Sequence, residues 1–162
     1  LQLRLSHYLS SAAFDVYKRL GPSPMDCYYL GRSNKTLPYR MKGHAELSGV
    51  LANFLSTHDS VEKVYYPGLK THPGHLIAAN QMTGFGGILS FQVKGDAADA
   101  DRVISKLKYF TNATSLGVVE SLIERRAASE GPDTLTPQNL IRVSVGLEHL
   151  YDLLEDMEDA LK

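Results

Sequence analysis

The last stretch of the chain, NLIRVSVGLEHLYDLLEDMEDALK (139–162), decides how the rest is read. Leu140 to Gly146 alternates as a half-buried strand does, with Ile141, Val143 and Val145 on one face and Arg142 and Ser144 on the other. A helix pattern follows over 149–161, acidic outside its stripe of Leu150, Leu153, Leu154 and Leu161. Arg142 is the residue without an obvious reason. A guanidinium in mid-strand must reach solvent, pair with a structural acid or meet an anionic ligand. Strand 140–145 has no acid of its own, and by pattern alone a structural partner on a neighbouring candidate strand, Glu120 or Glu124, is the favoured account. A ligand carboxylate, which suits the planar fork of arginine, is the functional alternative.

Composition limits what that ligand could be. With 162 residues, 43% of them hydrophobic, the chain can bury one real core and not two large ones. A net charge of −1 gives no field for nucleic acid or anionic membranes. The single cysteine, Cys27, excludes an intrachain disulfide and any thiolate zinc cluster. No apolar run approaches the roughly 20 residues of a membrane span, and Arg4, His7, Asp15, Lys18 and Arg19 make the opening unlike a secretory signal. The expectation is a protein of the cytoplasm that works on a small molecule or another protein.

Working backwards and forwards from the strand, residues 3–20 are spaced as a helix and GPSP (21–24) stops it. A long helical pattern runs from about 25 to 55, to be kinked at Pro38. VEKVYYP (61–67) reads as a strand, about 74–82 as a helix behind Pro73, ILSFQVK (88–94) as a strand, and 97–109 as a helix capped by Asp96. VVESLIERR (118–126) is a further strand, separated from the opening one by a polar loop, AASEGPDTLTPQN. The link between those two strands is too short for a helical crossover, so they pair antiparallel. The expected fold is α+β, a mainly antiparallel sheet with helices on one face. Residues 1–60 form a lead-in and long helix, and 61–162 the domain proper.

Other motifs carry little chemistry. His72 and His75 in HPGH could share a helical face, but a metal site needs a third ligand and none is near. The glycines of GFGG (84–87) precede a strand, whereas a phosphate cradle precedes a helix, so they read as a turn. Cys27 has no positioned base and reads as a packed small side chain. GHAELSG and EDMED read as solvated faces.

Four segments together resemble a known family: PSPMDCYYLGRSNKTLPYRM (22–41), VEKVYYPGLKTHPGHLIAANQMTGFGGILSFQVKG (61–95), FTNATSLGVVESLIERRAASEGP (110–132) and LIRVSVGLEHLYDLLEDMEDAL (140–161). In order and spacing, over roughly 17–161, they are similar to the C-terminal part of the pyridoxal-phosphate-dependent trans-sulfuration enzymes, which include cystathionine γ-lyase, γ-synthase and β-lyase and methionine γ-lyase. The resemblance implies the small C-terminal domain of a fold-type I enzyme, in which a separate large domain carries pyridoxal 5'-phosphate on a lysine. It implies elimination or replacement at Cγ or Cβ of a cystathionine, cysteine, homoserine-ester or methionine-type substrate. It also implies a homo-oligomer, a tetramer in the family. The family's L-I-R-x-S-V-G-x-E arginine binds the substrate α-carboxylate, and Arg142 matches it. The S-L-G-G loop lies beside the substrate, and Ser115, Leu116 and Gly117 match its first three positions.

The departures are as informative. Thr114 stands where the family often has glutamate, and Val118 where it has a glycine that permits any backbone angle. RSNKTL (32–37) replaces R-G-L-K-T-L, and the short SEGPDTLTP replaces the segment containing M-T-H-A-S. Lysines occur at 18, 35, 42, 63, 70, 94, 106, 108 and 162, none in the family's S-x-T-K context. The expectation is that the cofactor domain lies before residue 1, that this chain holds no cofactor-binding, catalytic or metal-ligating residue of its own, and that alone it is inactive. A truncated, non-catalytic relative serving as a binding or assembly module is the alternative.

Overall fold

The computed structural model describes residues 22–162, so the helix read over 3–20 lies outside the described residues. The described residues divide into two units, 22–38 and Tyr39–Lys162.

In the first unit, α1 (Pro24–Lys35) opens on a capping box: Asp26 N–H donates to Ser23 Oγ, and Ser23 N–H donates back to the Asp26 carboxylate. Proline at its first position removes an amide that would have had no helical partner. No residue of α1 is buried, Cys27 included, so that cysteine is not the packed side chain its helical setting suggests. The pattern over 25–55 is two helices, not one bent helix, because α1 stops at Lys35 and α2 runs Leu37–Thr57. Pro38 is the physical cause. Its ring would collide with the carbonyl four residues back if α1 continued, whereas it fits the first turn of a new helix. Thr36 fills the break, its amide and hydroxyl both donating to the Ser33 carbonyl.

The second unit is an α+β layer structure. Strands β1 (Val61–Tyr65), β2 (Ile88–Val93), β3 (Thr111–Asn112), β4 (Leu122–Arg125) and β5 (Leu140–Ser144) form one sheet in the order β1-β2-β5-β4-β3. Every pairing is antiparallel except the short β3–β4 pair. Between the strands lie α3 (His75–Gln81), α4 (Ala97–Lys106) and α5 (Arg126–Glu130), and α6 (Leu150–Leu161) closes the chain. The polar loop after β4 therefore contains one short helix. Among the described residues, no helix is long and apolar enough to cross a membrane.

Alternation decides which face is covered. Leu89, Phe91 and Val93 of β2 lie beside Ile141 and Val143 of β5, and Ile123 of β4 pairs with Val143, all of them buried. Against this face pack Leu51 and Leu55 from α2, Val103 and Ile104 from α4, and Leu153 and Met157 from α6. Fully burying one such side chain stabilises the fold by about 1.5–3 kcal/mol, so these helices hold the sheet from one side. The other face carries Ser90, Gln92, Glu124, Arg142 and Ser144.

Capping fixes where α4 begins and ends. Asp96 accepts from the amides of Ala98 and Asp99, and Asp99 accepts from Asp96 N–H. The helix ends at Lys106, earlier than the apolar pattern predicts. The next amides are taken by another element: Lys108 and Tyr109 N–H donate at 2.9–3.0 Å to the carboxylate of Asp156, which is buried on α6 beside Met157, so EDMED is not wholly the solvated face its charges suggest.

Candidate functional site

Arg142 lies in the middle of the middle strand, on the face opposite the layer of α2, α4 and α6. Ser90 of β2 and Glu124 of β4 are its register partners. Period-two alternation thus puts the guanidinium opposite an acid as soon as β4 and β5 pair. The Glu124 carboxylate meets Arg142 Nη2 at 2.8 Å. Both side chains are withdrawn from water, Arg142 16% and Glu124 3% exposed, which strengthens the pair electrostatically and makes the loss of either partner costly. Of the two acids the strand pattern offers, Glu124 is the one that pairs. Its second arginine is Arg126, whose Nη1 approaches Oε1 at 3.3 Å, and Ser129 Oγ donates to Oε2 at 2.7 Å.

That pairing leaves the guanidinium incompletely satisfied. Nη2 also donates to the carbonyl oxygens of Thr114, at 2.6 Å, and Ser115, at 3.0 Å. All these contacts fall on one nitrogen, while Nε is buried with no hydrogen-bond partner among the described residues. A buried N–H without an acceptor costs about 1–3 kcal/mol. A structural pair alone would not require that cost, and an acceptor from outside would remove it.

The loop matched to S-L-G-G is fastened to the same strand. Ser115 is held through its carbonyl by Arg142, and Gly117 N–H donates to Ser144 Oγ at 2.9 Å. Gly117 has φ +73°, a left-handed angle that costs a side-chain-bearing residue roughly 1–2 kcal/mol. No non-glycine residue among those described has positive φ, so Val118 is not forced into a glycine conformation and leaves the turn intact. Leu116 points outward, half exposed, and with Gly117 it lines an apolar cleft of about 310 Å³ whose other walls include Met41, His44, Phe85 and Ile88. The sequence-predicted residues Arg142, Ser115, Leu116 and Gly117 are thus neighbours.

Sequence reasoning passed over the parts that brace this loop. Gly146 N–H donates to Ser121 Oγ at 2.8 Å, and Ser121 Oγ donates to Glu148 at 2.8 Å. A Cβ on Gly146 would strike the Val119 carbonyl oxygen and the Glu120 carbonyl carbon, so the close crossing of the two segments requires glycine there. The signal was present as the G-x-E spacing directly after the strand. GHAELSG is not the solvated face its polar residues suggest: His44 and Ser48 are buried on α2, and His44 donates from Nδ1 to the Val145 carbonyl oxygen at 2.7 Å. His72 and His75 use Nδ1 on main-chain groups, Gly74 N–H and the Pro67 carbonyl. No cluster of three or more potential metal ligands is found among the described residues.

A family model described as Cys/Met metabolism PLP-dependent enzyme matches residues 12–162. The chain belongs to this family. Among the Cys/Met metabolism enzymes, it is 46% identical over 145 residues to a cystathionine gamma-synthase of Mycobacterium tuberculosis, covering 86% of this chain and 37% of that protein. It is 45% identical over 149 residues to a cystathionine gamma-lyase of Sus scrofa, covering 87% and 37%. Among solved structures, metB from Corynebacterium glutamicum matches with a TM-score of 0.80 at 41% identity, over 86% of this chain and 38% of that one. The α+β fold is therefore that of a domain of fold-type I enzymes of the family, and the chain spans little more than a third of the length of these relatives.

Proposed function

We propose that this chain supplies the carboxylate-binding side of a pyridoxal-phosphate-dependent enzyme of sulfur amino-acid metabolism, acting at Cγ or Cβ of a cystathionine, cysteine, homoserine-ester or methionine-type substrate. The observation that carries the reading is the Nε of Arg142, buried and without a hydrogen-bond partner among the described residues. Arg142 binds the α-carboxylate, and the Ser115–Gly117 loop, fastened to Arg142 and Ser144, borders the bound amino acid. Holding one end of the substrate converts an encounter into an oriented complex.

The cofactor named by the family needs an amine and a phosphate cradle, and the donors around Arg142 do not form them. The groups here are a guanidinium, two carbonyls, a carboxylate and hydroxyls, and no lysine among the described residues bonds to any of them. They fit an amino acid's carboxylate. In this reading the Schiff-base lysine lies outside these 162 residues, the full-length protein is a cytoplasmic homo-oligomer, and this chain alone does not turn over substrate. Relatives named synthase and lyase are almost equally similar, so the class of reaction is set at the level of the family.

The test is Arg142→Lys in the full-length protein. Lysine keeps a cation beside Glu124 but has no Nε edge. The expected result is a fall in kcat/KM of roughly 10- to 150-fold, the equivalent of one charge-assisted contact. A variant that melts earlier but retains wild-type kcat/KM would leave Arg142 a structural residue and remove the reading.

A further inference from the structure

We infer that Glu124 is a positioning residue for the carboxylate site, acting on Arg142 jointly with Arg126; the inference rests on the reading of Arg142 given above. Only two acids among the described residues are buried, Glu124 and Asp156. Asp156 is accounted for by the main-chain amides it accepts. Glu124 has no such account, since its contacts are two arginines and the Ser129 hydroxyl.

The sharing explains how Arg142 can be anchored without being neutralised. Both arginines use the same oxygen, Oε1, so part of the Glu124 charge goes to Arg126. Arg126 is held in turn by Glu130, Nε to Oε1 at 2.7 Å, and Glu130 accepts from the hydroxyls of Thr134 and Thr136 in the short loop before β5. Charges therefore alternate along a row, Arg142, Glu124, Arg126, Glu130, and the open end of the row is the guanidinium of Arg142. A ligand carboxylate there extends the alternation.

The anchor also selects the edge of the guanidinium that is presented. Nε–H and one Nη2–H point the same way and form the side-on fork that a carboxylate grips. Nη2 has two hydrogens and three acceptors: Glu124, Thr114 and Ser115. Glu124 is buried and held on both oxygens, whereas Thr114 and Ser115 are exposed loop residues contributing only carbonyls. An incoming carboxylate therefore takes Nε and displaces a loop carbonyl, while Glu124 keeps the guanidinium in place.

The experiment uses the full-length protein with an amino-acid substrate and its α-carboxamide analogue. Glu124→Gln keeps the shape but removes the charge; about a 10-fold rise in KM is expected, with kcat within about 3-fold and a matching loss of preference for the carboxylate over the amide. Arg126→Gln, at a partly exposed side chain, is expected to raise KM about 3-fold, with Arg126→Lys restoring it. If Glu124→Gln does not fold, the Arg126 pair of variants carries the same test. A lowered melting temperature with unchanged KM and unchanged amide discrimination would make Glu124 a structural partner only and overturn the inference. Arg142→Lys serves as the control. If it too leaves KM unaltered, the reading of the site has failed; if it raises KM where the Glu124 and Arg126 variants do not, only the positioning role has failed.

Discussion

The amide of Gly117 donates to Ser144 Oγ at 2.9 Å, which ties the apex of a surface loop to the last residue of the central strand. Ser144 is buried and lies two residues after Arg142 on the same face of the sheet, so the loop and the arginine are held by one rigid element. Ser144→Ala is expected to cost about 1 kcal/mol in urea unfolding. If the loop borders the substrate as proposed, the same change in the full-length protein should raise KM more than it lowers kcat. Unchanged stability and KM would show that the hydrogen bond does not hold the loop.

Gly146 tests the crossing behind that loop. A methyl group there meets main-chain atoms of Val119 and Glu120, which no side-chain rotation can relieve. Gly146→Ala should destabilise by about 1–3 kcal/mol, the cost typical of overpacking. Chemical denaturation measures it, and a variant as stable as the parent would contradict the packing described.

The pair Gly117 and Val118 separates conformational need from chemical role. Gly117→Ala should lose about 1–2 kcal/mol, since only that residue of the turn has a left-handed angle. Val118→Gly should not raise turnover in the full-length enzyme, because the valine backbone already adopts an ordinary conformation. A gain in kcat would show that the side chain itself obstructs the site.

Asp156 stops α4 by accepting the amides of Lys108 and Tyr109. Asp156→Asn keeps the volume but weakens charge-assisted bonds, with an expected loss of about 1.5–3 kcal/mol measured by denaturation. Hydrogen exchange at Lys108 and Tyr109 should accelerate in the variant.

Glu130 gives a prediction in pH. Hydrogen bonds from Thr134 and Thr136, and then from Arg126, hold its carboxyl down at about 2, below the ordinary 4.5. A group whose folded pKa is depressed stabilises above its unfolded pKa and loses that contribution as pH falls from about 4.5 through about 2. Because the group is solvent-exposed, the effect on stability is screened. Carboxyl NMR titration should place Glu130 near the lower value. Thr134→Val combined with Thr136→Val should move it back up, and a value near 4.5 in the parent would show that the loop is not fastened this way.

Much of this was legible in the chain because its periods are clean. Residues 140–145 alternate and 97–107 carry a helical stripe, and each became the expected element; Asp96 was readable as a cap because aspartate accepts from first-turn amides. Arg142 stood out for the same reason, as a charge on an alternating strand. What could not be read depends on contacts between distant parts. A two-residue strand such as β3 has no period to detect. The end of α4 at Lys106 is set by a carboxylate some 50 residues on. The choice of Glu124 over Glu120 follows from register, and the unpartnered Nε follows from a loop geometry no pattern encodes.

The position of β5 has a consequence for how the chain is made. The middle strand is the last of the five to leave the ribosome, so at roughly 5–20 residues per second β2 waits with a bare edge for roughly 3–10 s, and β4 for roughly 1–4 s, before their shared partner emerges. The two strands that β5 joins come from separate parts of the chain, and both of their pairings must wait for the same event. The nascent sheet is most prone to intermolecular strand pairing in that interval, and a premature stop before Leu140 would remove its centre and not its margin.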